Sequence, residues 1–288
     1  MLSGRIRIGQ RNKTAVAGKG KEQSQMSKWK TCLKKKGIQR TGWIVLLLVV
    51  WEVSVKLSGV SPLLFPAVED VLATLVEDLL HGNLLIQTAS SVALLFAALL
   101  ISLAGAFLLA WLSGLSKVSE SFVDTLTVIA HPLPGLAILP LIIMWFGTGT
   151  GAVLAIVVHS AIWPLLLNIL TGFAEVPRIY TDLGKNLSMS PRSILFEIKL
   201  PASAGYIISG IKIGWARGWR AFISAEMVFG AIGGKGGIGW YIFNQRNFMD
   251  TAGLFAGILL VIFIGIVVEN GLFGWLEKKC VHMGTKER

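Results

Sequence analysis

The sequence predicts an all-α fold, a polytopic membrane helical bundle of six transmembrane helices. Two observations carry that prediction. The chain is 53% hydrophobic and only 15% charged, with a mean hydropathy of +0.67, far on the apolar side of soluble domains. Its apolar residues also gather into six runs: 42–57, 88–112, 122–146, 152–173, 204–229 and 252–275. A hydrocarbon core about 30 Å thick needs roughly 20 residues of helix, so each run reads as a span.

The net charge of +11 does not point to nucleic acid, because the cationic residues lie between apolar runs rather than over a polar surface. Twelve of them precede Thr41, where Glu22 is the only acid. The segment 1–41 is therefore expected to be solvated, disordered and suited to anionic lipid headgroups. Lys and Arg concentrate in cytoplasmic loops. An inside N-terminus leaves only Lys56, Lys235 and Arg246 outside, with Lys212, Arg217 and Arg220 inside the fifth run. Both tails, 1–41 and 278–288, are thus expected in the cytoplasm, flanking a transmembrane domain at 42–277. Cys32 and Cys280 lie in these tails, a reducing setting that implies no disulfide. The first 25 residues lack an apolar core followed by a cleavage site, so no signal peptide is expected and Met26 stands as an alternative start.

Individual runs carry further information. The third contains Pro132, Pro134 and Pro140. Proline frees backbone carbonyls, which a membrane tolerates only where neighbours or a wet cavity satisfy them, so this run is expected to be buried or pathway-lining. Between the first two runs, Val68, Val71, Leu72, Leu75, Val76, Leu79 and Leu80 recur at helical spacing beside Glu69, Asp70, Glu77 and Asp78. That pattern predicts an amphipathic helix lying along the outer surface, with a packing role.

The fifth run holds Lys212, Arg217, Arg220 and Glu226. Such charges cost about 2.5–3.5 kcal/mol each on insertion, so they are expected to face inward. At about 100° per residue, Arg217 and Arg220 share a face, while Glu226 lies opposite Arg217 and needs a partner on another helix. His131, Arg217, Arg220 and Glu226 are the candidate translocation-pathway residues. A guanidinium pair suits a sulfonate-like anion; a network that merely holds the bundle is the alternative these residues leave open. Lys212 is expected to snorkel to the cytoplasmic edge. Gly210, Gly214 and Gly218 form a small-residue ridge for helix packing.

His159 and His282 have no neighbouring ligand types, so neither a metal nor another cofactor is expected. The glycine-rich stretch 230–239 holds Lys235 but lacks the Gly-x4-Gly-Lys-Ser/Thr spacing of a phosphate loop. With no paired carboxylates and no Ser–His or Cys–His arrangement, the chain does not read as an enzyme.

The loop 174–203 is longer than a simple connector needs. Ser190-Pro191 marks an N-cap with proline at the first helical position, and Ile194, Leu195, Ile198 and Pro201 mark one apolar side. Two short helices joined by a tight turn are expected. The same stretch resembles the cytoplasmic motif of ABC importer permeases: Glu-Ala-Ala, three residues, Gly, nine residues, Ile, one residue, Leu-Pro. Asp182, Leu183 and Gly184 fall on Glu-Ala-Ala, Ser188 on Gly, Ile198 on Ile, and Leu200-Pro201 on Leu-Pro. The spacing agrees throughout, while Asp182, Leu183, Gly184 and Ser188 depart in identity. Ser188 takes a left-handed turn only at a cost that glycine avoids.

Other stretches resemble the sulfonate, taurine and nitrate branch of these permeases. They are Leu64-Phe65-Pro66, His131-Pro132-Leu133-Pro134 with Leu139-Pro140-Leu141, Trp145-Phe146-Gly147, Trp219-Arg220 with Ala225-Glu226-Met227, and Arg246 to Thr251. The branch typically has Arg where this chain has His131. The resemblance implies the permease subunit of an ATP-driven importer for a small anion, in the bacterial cytoplasmic membrane. It further implies a second permease copy in a homodimer, two ABC ATPase subunits that bind the ATP, and an external substrate-binding protein. The motif residues would couple to the ATPase. An importer of a heterocyclic vitamin precursor and an ATP-independent carrier or channel are the alternatives.

Overall fold

The computed structural model of the chain describes residues 39–230 and 236–277, and every regular element among them is helical. The expectations for the basic tail, Met26, Cys32, Lys235, Cys280 and His282 fall outside these residues. Two compact units are present, Met1–Val68 and Glu69–Arg288.

The described part of the first unit is helix α1 (Gln39–Ser58) and the segment after it. Glu52 pairs with Lys56 at 2.6 Å, and its other oxygen accepts from the Val68 amide at 2.9 Å. Trp51 donates to the Pro66 carbonyl and stacks on Phe65, so the segment after α1 folds back against it.

The second unit runs α2 (Val68–Leu80), α3 (Leu84–Ser113), α4 (Lys117–Ala130), a short 3₁₀ turn (Gly135–Ile138) and α5 (Leu139–Phe146). It continues with α6 (Thr150–Ala174), α7 (Arg178–Asn186), α8 (Pro191–Ala202), α9 (Ala204–Phe229), α10 (Ile238–Asn247) and α11 (Thr251–Glu277). Four helices, α1, α3, α6 and α11, are each long and apolar enough to cross a membrane. Among the described residues there are up to six spans if α4–α5 and α8–α9 each count as one bent span. The chain is a helical membrane bundle.

The third run is not one continuous helix but a pair that passes as a span only when taken together. α4 and the helix made by the 3₁₀ turn with α5 (Gly135–Phe146) meet at 91° across 131–134. Pro132, Pro134 and Pro140 explain the break, since proline cannot donate in the helix ladder and restricts the residue before it to extended backbone. The 14 residues of α4 rise only about 21 Å, short of the core thickness of about 30 Å, so α4 alone does not reach across.

The core is the packing of α9 along α6, and of α6 along α3. Leu95, Ile156, Leu165, Ile169, Trp215 and Phe222 are fully buried there. Trp215 and Trp219 stack with centroids 5.8 Å apart, and Phe273 of α11 closes on Trp215. Gly210, Gly214 and Gly218 face α6: a Cβ at 210 would sit 2.8 Å from the Asn168 Cβ, and one at 214 would sit 3.2 Å from Leu165. The ridge brings the two backbones closer than larger residues permit. Lys212 Nζ bonds Glu277 at the end of α11, 2.8 Å away, tying that helix to α9.

At the other end of the bundle, Met249 takes φ +59. The Met249 and Asp250 amides close on the Arg246 and Gln245 carbonyls, ending α10. Asp250 then caps α11 by accepting from the Gly253 amide. The Tyr241 hydroxyl of α10 donates to Asp78 of α2. Burial, and then this bond, hold the Tyr241 phenol above its ordinary range, so it remains a donor.

The glycine ridge yields a graded prediction. Gly210→Ala forces a contact with a Cβ that cannot swing away, and should cost about 1–3 kcal/mol. Gly218→Ala meets only ordinary contacts at 3.4 Å and should stay within about 1 kcal/mol of the parent. Thermal unfolding of the two purified variants in one detergent checks the order.

Candidate functional site

The α4–α5 break is held open by side chains from α6 and α9. His159 Nε2 donates to the Leu133 carbonyl at 3.1 Å, satisfying one of the groups the prolines release. On α9, Arg217 Nη1 lies 3.0 Å from His131 Nε2. Guanidinium only donates, so this ring nitrogen accepts and the imidazole proton sits on Nδ1. Arg220 Nε donates to the Ala216 carbonyl at 3.0 Å, which aims its fork along the helix. Between these groups is a cavity of about 240 Å³, lined by His131, His159, Ser160, Trp163, Arg217 and Arg220 together with the break itself. No carboxylate lines it. Among the described residues, no three His, Cys, Asp or Glu approach closely enough to hold a metal ion.

Of the four candidate pathway residues, His131, Arg217 and Arg220 converge on this cavity, and Glu226 does not. Glu226 is 1% exposed. Its partner comes from another helix, as the angular argument requires: Ser91 of α3 donates to it at 2.9 Å. The carboxylate also accepts from the Gly239 amide at 2.9 Å, while Ser91 Oγ accepts from the Ile238 amide at 3.0 Å. Both amides are orphan donors in the first turn of α10, so Glu226 and Ser91 cap that helix, and the negative charge sits at the positive end of its dipole. A Cβ at Gly237 would overlap Glu226 and Ser91, and one at Gly239 would lie 2.6 Å from the Glu226 Cβ. At 237 and 239, glycine is thus needed for the close approach.

The segment between α6 and α9 forms two short helices. α7 ends in a paired turn in which the Ser188 amide bonds the Lys185 carbonyl and the Met189 amide bonds the Gly184 carbonyl. The residue after the cap must then be left-handed. It is Ser188, at φ +57, so the chain accepts the strain. Ser190 accepts from the Ser193 amide at 3.1 Å and starts α8 with Pro191. Gly184 is buried, and a Cβ there would meet Ile198 at 3.0 Å and Ile194 at 3.2 Å, so Gly184 and Ile198 join α7 to α8. Leu200 and Pro201 lie where α8 turns by 71° into α9. Asp182 is exposed and makes only a 3.5 Å pair with Lys185, an arrangement worth little at a surface. Outward from α7 stand Ile179, Leu183 and Leu187, 72%, 55% and 68% exposed. They repeat every four residues and so form one stripe. Of the three, the sequence motif marks only Leu183; the spacing was the available signal for the other two.

Residues 103–281 match the family described as the binding-protein-dependent transport system inner membrane component. The chain belongs to that family. Among its relatives, a Methanocaldococcus jannaschii chain assigned as an ABC transporter permease is 29% identical over 79% of this chain and 85% of its own length. The taurine transport system permease of Escherichia coli is 26% identical over 86% of this chain and 91% of its own. A nitrate import permease of Leptolyngbya laminosa is 27% identical over 68% of each. The protein is thus a multi-pass permease of the ABC type, a class whose members work with an ATPase and a binding protein.

Two predictions concern the permease's internal clamps. Glu226→Ala leaves the Gly239 amide and the Ser91 hydroxyl unpaired, at about 1–3 kcal/mol for each buried group. Glu226→Gln keeps an acceptor and should lose less, as thermal unfolding of the two variants would reveal. At Ser188, glycine should leave stability equal or up to about 1 kcal/mol higher. Valine, β-branched at positive φ, should lower it; the same measurement decides both.

Proposed function

We propose that this permease carries a small oxyanion, of the sulfonate, taurine or nitrate class, across the membrane. It works as a homodimer with two ATPase subunits and an external binding protein. Both tails and the α7–α8 segment face the cytoplasm, α7 seats its Ile179, Leu183 and Leu187 stripe in the ATPase, and ATP is bound by that subunit alone.

The observation that carries the reading is the cavity at the α4–α5 break, where Arg217 and Arg220 present guanidinium groups and no carboxylate answers them. A donor-rich cavity of this kind stabilises oxyanions and repels cations. Non-helical backbone at membrane depth is a feature that transporters place around their substrates. The cavity volume of about 240 Å³ is below the roughly 300–1,000 Å³ of pockets for drug-sized ligands, which favours a small anion over a heterocyclic vitamin precursor. The taurine and nitrate permeases among the relatives are named for anionic or zwitterionic solutes of that size.

Reconstitution with the cognate ATPase and binding protein in liposomes tests the proposal. Uptake of radiolabelled taurine, alkylsulfonate or nitrate should require ATP. Leu183→Glu should reduce ATPase co-purification and uptake together by about tenfold or more, since it buries a charge in an apolar contact. ATP-independent flux, or uptake of a pyrimidine instead of any anion, would overturn the reading.

A further inference from the structure

The C-terminal part of α11 is not a uniform α-helix. Val267–Phe273 is a π turn, a wider helix with i→i+5 bonds that occurs mostly as single turns inside α-helices, frequently at functional sites. Its effect shows in which residues face the bundle. Leu260, Ile264 and Val268 pack on the core at steps of four, as an α-helix requires, but the next fully buried residue is Phe273, a step of five. The π turn absorbs the extra residue, and Phe273 reaches Trp215 of α9. Glu277, four residues further on, shares that face and bonds Lys212 at 2.8 Å.

Without the π turn the same sequence offers a second register. Four residues after Val268 comes Leu272, and four after that comes Leu276. In an uninterrupted α-helix the segment after Val268 is rotated by about 100°, so Leu272 and Leu276 take the inward places of Phe273 and Glu277. Both registers bury an apolar side chain against α9, and only one holds Lys212. In the present one Phe273 is 3% and Leu272 40% exposed. Little packing opposes the rotation: a Cβ added at Gly271 or Gly274 would meet nothing within 4 Å, and the Lys212 and Glu277 side chains are 36% and 41% exposed. Asn270 donates through its side chain to the Ile266 carbonyl, the acceptor that its own backbone amide takes in an α-helix. Lys212 lies in the half of α9 that follows α8 through the 71° bend, so its bond to Glu277 holds the end of α9 joined to the α7–α8 segment.

We propose that the π turn of α11 is a register latch. The latched register grips α9 through Phe273 and Glu277; collapse to α-helix exchanges them for Leu272 and Leu276 and frees that end of α9 to move with α7–α8. This rests on the ATPase-driven reading above and holds whatever the solute.

Deletion of Gly271 tests it, because the five-residue step becomes four: Phe273 and Glu277 then meet α9 from an uninterrupted helix, and the second register is lost. In the permease–ATPase complex in nanodiscs, the deletion should leave the melting temperature equal or higher and lower binding-protein-stimulated ATP hydrolysis about tenfold or more. Gly271→Ala keeps the length and should retain parental hydrolysis. A nitroxide on Leu272→Cys, with Cys32 and Cys280 replaced by serine, should show two mobility populations whose ratio changes between the nucleotide-free complex and the complex trapped with ATP and vanadate. In the deletion variant only the mobile population should remain. Parental hydrolysis in the deletion variant overturns the latch, as does a lower melting temperature for it, an equal loss of hydrolysis in Gly271→Ala, or a single Leu272 population in both states. Absence of stimulated hydrolysis in the parent complex overturns the importer reading instead, and the label populations still decide whether two registers exist.

Discussion

Inside a bilayer there is no water to complete an interrupted hydrogen bond, and the organisation of this chain follows from that constraint. Among the described residues, several places where the helical ladder stops or a charge enters the apolar bundle are answered by a specific group, most often on another element. The prolines of 131–140 release carbonyls, and His159 reaches across to Leu133. The first turn of α10 has free amides, and Glu226 with Ser91 takes two of them. Arg217 enters at mid-helix and finds His131; Arg220 turns back to its own helix at Ala216. The same accounting exposes Trp163, whose N–H has no such answer.

Two charged groups on α9 thus have different duties, although hydropathy treats them alike. Glu226 faces α3 and α10, where its carboxylate is saturated by a hydroxyl and an amide, and it acts as a bolt between three helices. Arg217 and Arg220 face the broken span and keep donors to spare. The glycine ridge earlier in α9 lets that helix approach α6 closely.

The α7–α8 segment follows a different logic, that of a surface element packed on itself. Gly184, Ile194 and Ile198 pack it internally, the paired turn at Ser188 sets the angle between its helices at the expense of a left-handed residue, and an apolar stripe is left facing outward. The departures of this chain from the importer motif sort accordingly. Gly184 in place of alanine relieves a tight packing contact, Ser188 in place of glycine adds strain without altering the turn, and Leu183 enlarges the outward face.

The sequence by itself determined the helical membrane class, the approximate place of the spans, the proline-marked anomaly in the third run and the two-helix loop. These depend on local periodicity, turn chemistry and run length, which neighbouring residues carry among themselves. It also required that Glu226 find its partner on another helix, from the helical angle alone. Only the tertiary structure decided that this partner is Ser91 with the α10 amides, that the third run is two helices at 91°, that Lys212 meets Glu277, and that His159, Ser160 and Trp163 share a cavity with the arginines. Those outcomes join residues distant along the chain through the packing of α3, α6 and α9. No periodicity within one helix encodes which face of another it will meet.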